Sequence, residues 1–61
     1  MAFTNEEKQR CAEREMKKRI RVYEALVNSG NMTREFADRQ IELMQEIAND
    51  YRERAKAEKL L

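Results

Sequence analysis

The sequence predicts an all-α fold, an antiparallel two-helix hairpin that dimerises into a four-helix bundle. Three observations predict it. The only glycine, Gly30, lies in the run Val27-Asn28-Ser29-Gly30-Asn31-Met32-Thr33, and the chain has no proline. On both sides of that run, apolar residues recur at steps of three and four, the spacing of a single helix face. Beside each main stripe runs a second one, more oily surface than one hairpin can cover. The 61 residues form one domain, 1–61, with helix one over about 5–28, a turn over about 29–33 and helix two over about 34–59.

The first helix starts at Thr4-Asn5-Glu6-Glu7, which has the form of a capping box. The Thr4 hydroxyl accepts from the Glu7 amide while the Glu7 carboxylate reaches back, and the two acids suit the positive end of the helix dipole. Ala12, Met16, Ile20, Tyr23 and Val27 then mark one face, which weakens upstream to Gln9 and Lys8. Glu6–Arg10, Glu13–Lys17 and Glu15–Arg19 are i,i+4 pairs in the favourable orientation.

Asn28-Ser29-Gly30 ends that helix, because glycine takes the left-handed conformation after a helix terminus without steric penalty. Thr33 is the N-cap of the second helix, with Glu35 in the first turn and Met32 placed to staple over Ala37. A connection this short joins antiparallel neighbours. Ala37, Ile41, Met44, Ala48, Tyr51 and Ala55 form the second seam, a heptad-like, coiled-coil pattern. Folding back pairs Tyr23 with Ile41, Ile20 with Met44, Met16 with Ala48, and Ala12 with Tyr51, large against small. Phe3 is expected to meet Leu60 and Leu61 at the open end.

A domain of this size builds a small core, and such chains commonly add disulfides, a metal or a partner. One cysteine and no histidine give neither an internal disulfide nor a zinc site from one chain, which leaves a partner. The second stripe supplies the surface: Phe36, Leu43 and Ile47 on helix two, Val22 and Leu26 on helix one. Contiguous exposed apolar residues mark association surfaces, and two hairpins related by a twofold axis would bury these. The partner is expected to be a second copy; a different protein docking on the same stripe is the alternative.

Catalysis has little to work with, and no enzyme is expected. Histidine is absent, the carboxylates sit on solvated faces, and one glycine makes no phosphate loop. Catalytic, cofactor-binding and metal-ligating residues are therefore expected to be none. Cys11 reads as a buried or half-buried small apolar residue. Tyr23 and Tyr51 read as seam residues with hydroxyls at the rim, and Met16, Met32 and Met44 as adaptable filler.

Charge is abundant but balanced: 41% of residues are charged, at a formal net +1. Its distribution is uneven. Residues 8–21 hold seven basic residues against two acidic ones. Arg10, Arg14, Lys17, Lys18 and Arg21 cluster on the outer face of helix one, whereas Glu35, Asp38, Glu42, Glu46, Asp50 and Glu53 make helix two acidic outside. Nucleic-acid binding through the basic face is one reading, since neutralised phosphates release counterions. The plainer one is a solvated basic face complementing an acidic neighbour. Interleaved aromatics, which stack bases, are missing from the stripe, so the plainer reading is preferred.

No apolar run approaches the length of a membrane span, and Met1-Ala2-Phe3-Thr4-Asn5-Glu6-Glu7 lacks a signal-peptide layout. The expectation is a cytoplasmic protein with a reduced thiol and no membrane partner. Finally, Glu13-Arg14-Glu15-Met16, Val22-Tyr23, Val27, Ser29-Gly30 and Met32 form a pattern that continues through Ala37-Asp38-Arg39, Ile41, Met44, Ile47-Ala48 and Asp50-Tyr51. It resembles small uncharacterised α-helical hairpin proteins of bacterial and prophage genomes. The resemblance implies a bacterial or prophage origin and contributes no activity and no site residue.

Overall fold

The computed structural model describes residues 2–59, which form two helices, α1 (Asn5–Asn28) and α2 (Arg34–Lys59). Both ends of α1 and the start of α2 are closed by the residues the local chemistry asks for. Thr4 is extended and its Oγ1 accepts from the Glu7 amide at 3.1 Å, while the Thr4 amide donates to Glu7 Oε1 at 3.2 Å. That reciprocal pair satisfies two amides that a helix start would otherwise leave open.

At the other end of α1 the Asn31 amide donates to the Leu26 carbonyl at 2.9 Å and the Gly30 amide to the Val27 carbonyl at 3.1 Å. These two bonds form a Schellman motif, which needs a left-handed residue at its centre. Gly30 supplies it with φ +80°. Ser29 Oγ also donates to the Leu26 carbonyl at 3.0 Å and accepts from Asn31 Nδ2 at 2.9 Å, bracing the turn. Thr33 Oγ1 then accepts from the Phe36 amide at 3.1 Å, the N-cap of α2.

The helices pack antiparallel. Asn5 bonds to Glu58 and Glu6 lies 3.6 Å from Lys59 at the open end, while Glu24 meets Arg34 beside the turn. Between them the core is made of alanines: Ala12, Ala37, Ala48 and Ala55 are buried, Ala48 completely. Small residues let the axes approach, and their larger neighbours Met16, Tyr23, Val27, Ile41, Met44 and Tyr51 close over them half-buried. No large side chain among the described residues is fully buried.

Several expectations are corrected by this packing. Ile20, read as an inner-seam residue, is 42% exposed. It sits at the seam's edge, lining a shallow recess with Tyr23, Glu24, Arg34 and Ile41. Cys11 is exposed, because it points one flank away from the alanine seam, beside Phe3 and Met44. Glu13 does not pair with Lys17; Arg52 on α2 reaches its carboxylate at 2.8 Å, a contact that exists only once the helices pack. Glu15 lies 3.9 Å from Lys18 instead of pairing with Arg19. The expected plug of Phe3 against Leu60 and Leu61 involves residues outside the described range; Phe3 itself is exposed among the described residues.

Candidate functional site: one apolar face of the hairpin

The two broad sides of the hairpin differ in kind. One is fastened by ion pairs that run from helix to helix. Arg34 forks onto Glu24, with Nη2 donating to Oε2 at 3.1 Å and Nη1 to Oε1; Arg52 Nη2 donates to Glu13 Oε2 at 2.8 Å; Lys59 lies 3.6 Å from Glu6. At 100° per residue, Glu6, Glu13 and Glu24 fall on one flank of the α1 seam, and Arg34, Arg52 and Lys59 on the matching flank of α2. The hydrogen bond from Arg52, then that from Gln9, holds the Glu13 carboxyl below its usual pKa, and the Arg34 guanidinium does the same for Glu24. The Glu24 carboxylate in turn raises Arg34.

The opposite side carries the second apolar stripes. Phe36, Leu43 and Ile47, spaced seven and four apart, lie along the flank of α2 turned away from Arg34 and Arg52. Val22 and Leu26 occupy the flank of α1 turned away from Glu13 and Glu24. Val22, Phe36 and Leu43 each leave over half of their surface in water, and Ile47 37%. Leu26, expected in water, is half-buried, because it lies nearest the seam and closes over the turn. Fully burying a side chain of this size is favourable by about 1.5–3 kcal/mol, so the hairpin leaves much of its hydrophobic driving force unused. The five residues expected to form an association surface thus share one side, four of them in the half nearest the turn and Ile47 at the middle of α2. Towards the open end the same side carries Lys8, Glu15 and Arg54, with Lys8 and Arg54 lying 5.6 and 5.2 Å from the centre of the Tyr51 ring.

The basic residues singled out from the sequence, Arg10, Arg14, Lys17, Lys18 and Arg21, are all exposed on α1. Arg10 is engaged by Glu6 at 2.7 Å, whereas Arg14, Lys17 and Arg21 make no ion pair among the described residues. The cross-helix partners Glu13–Arg52 and Glu24–Arg34 escape a reading of the sequence. Their only signal is an opposite charge at matching levels of two helices, and it becomes visible once the register is known. Among the described residues no group of three or more histidine, cysteine, aspartate or glutamate side chains could hold a metal ion. No helix among them is long and apolar enough to cross a membrane.

Compared with protein-family models, curated proteins and solved structures, the chain matches none.

Proposed function

We propose that this chain is a small non-catalytic interaction and assembly module of bacterial or prophage origin. It works in the cytoplasm as a homodimer, two hairpins joined into a four-helix bundle. The observation that carries the reading is the one-sided apolar face formed by Val22, Phe36, Leu43 and Ile47 beside half-buried Leu26. It flanks a core in which alanines alone are buried among the described residues, so the hairpin gains from any surface that covers it. Sedimentation equilibrium at micromolar concentration tests the reading: a dimer mass is expected, and a monomer across the whole concentration range overturns it.

A second reading rests on a different observation, the ion-pair-free Arg14, Lys17 and Arg21 on the outer face of α1. On this reading, α1 follows a nucleic-acid backbone, with Arg10 and Lys18 completing the basic track. Binding would then fall steeply with salt and weaken on Arg14→Glu with Lys18→Glu. A titration with mixed DNA and RNA oligomers at low salt that shows no binding removes it.

A further inference from the structure

We infer that the apolar face takes a second copy of this chain in one orientation only: both turns at the same end, and α1 of each copy lying over α2 of the other. The inference rests on the homodimer reading and adds the geometry. Two hairpins packed face to face have two twofold solutions. An axis running along the helices leaves the turns together and sets α1 against the α2 of the partner subunit. An axis across the helices puts the turns at opposite ends and sets like helix against like.

Two independent observations separate these solutions. The first is where the apolar residues lie along the rods. The cross-helix pairs Glu13–Arg52 and Glu6–Lys59 share one register and fix which residues are level. They put Val22 and Leu26 beside the stretch from Phe36 to Leu43, in the half nearest the turn. With the turns together, Leu26 meets Phe36 of the partner subunit and Val22 meets Leu43 of the partner subunit. With the turns apart and the rods overlapping along their full length, the midpoint of Arg34–Lys59 is the centre. Leu43 would then face Asp50 of the partner subunit, and Phe36 would face Ala57 of the partner subunit. That arrangement sets a carboxylate against an apolar side chain and leaves much of the stripe uncovered.

The second observation is charge. The α1 rim of this face is basic at Arg14 and Lys18, and the α2 rim is acidic at Glu46 and Asp50, all four exposed. Turns together, Arg14 comes level with Asp50 of the partner subunit and Lys18 with Glu46 of the partner subunit. Turns apart, basic rim meets basic rim and acidic meets acidic along the rods; turns together, like charges gather at the open end alone, where Lys8 and Arg54 lie on this face. The occupant is therefore a self-complementary surface, as a second copy is. One broad side of a body measuring 48 × 18 × 15 Å is also of the order a stable interface needs, about 800 Å² per partner.

The test is a distance between the two turns. In the full chain, Cys11→Ala with Asn31→Cys gives one spin label at the turn, read by double electron–electron resonance. Turns together predict a separation under about 20 Å, set by neighbouring helix axes. Turns apart predict about 40 Å, the length of α2 at 1.5 Å per residue. The longer distance in a dimer overturns this geometry and leaves the homodimer reading standing; a monomer without any dipolar signal sinks both. A charge exchange gives a second readout. Asp50→Arg alone should weaken dimerisation at least tenfold, and Arg14→Asp added to it should restore most of the loss. A double variant as weak as the single one counts against the orientation.

Discussion

Arg52 crosses from α2 to Glu13 on α1, its Nη2 2.8 Å from Oε2, and so joins two residues 39 positions apart in the chain. With the Arg34–Glu24 fork it fastens one side of the hairpin and leaves the other to apolar side chains. The two glutamates also set how the protein responds to acid. Both are held below the ordinary value, so their contribution is complete above it and is lost as pH falls through the lowered values. Arg34 is raised by the same Glu24 carboxylate, so this pair is lost in acid with Glu24 and, at the other end, as pH rises through the arginine range. Helicity and melting temperature should therefore hold across neutral pH and decline on the acid side of the carboxylate range. Glu13→Gln with Glu24→Gln should remove part of that decline in circular-dichroism melts. An unchanged pH profile in the double variant would show that these pairs are not responsible.

Replacing Leu43 and Ile47 together by glutamate puts two carboxylates in the centre of the apolar face without touching the alanine seam. The expected product is a monomer with reduced helicity, since the single hairpin buries only small side chains. Light scattering behind size exclusion reads the mass, and an unaltered mass would count against this face as the association surface.

Gly30 is the one position among the described residues where the backbone conformation disfavours a side chain. Its φ is +80°, and an added Cβ would meet nothing within 4 Å. Gly30→Ala should thus cost conformational strain and no collision, about 1 kcal/mol. Gly30→Asn should cost less, because asparagine tolerates the left-handed region. Thermal melts of both variants decide it; equal losses would implicate space and not φ.

Ala48 has no exposed surface at the centre of the helix–helix contact. A larger side chain there must push the axes apart, and overpacking of this kind costs about 1–3 kcal/mol. Ala48→Leu should lower the denaturation midpoint clearly, whereas Ala57→Leu on the exposed side of the same helix should leave it nearly unchanged. Two variants of equal stability would mean that the seam is looser than the packing described.

The ends of the helices were legible in the sequence because each is decided by residues within a few positions of one another. Thr4 with Glu7, Gly30 after Ser29, and Thr33 before Phe36 are local hydrogen-bonding arrangements with few competitors. The seams were legible too, from spacing alone. Ile20 and Cys11 were misjudged for different reasons. Spacing assigns Ile20 to the seam without saying how wide a strip the neighbouring helix covers, and the apolar character of a cysteine says nothing of which face of the helix Cys11 occupies. Ion pairing failed too. Local spacing offered Lys17 to Glu13, but the partner that reaches it comes from the other helix.

By itself, then, the amino-acid order determined that there are two helices, where they turn, and which stripes are oily, because all three follow from neighbours along the chain. Only the packed hairpin decided that alanines alone are buried among the described residues, that the cross-helix salt links gather on one broad side, and that Val22, Phe36, Leu43 and Ile47 remain on the other. Those are properties of register and rotation between two rods. They are set by how closely Ala12, Ala37, Ala48 and Ala55 let the axes approach, and no single stretch of sequence carries that information.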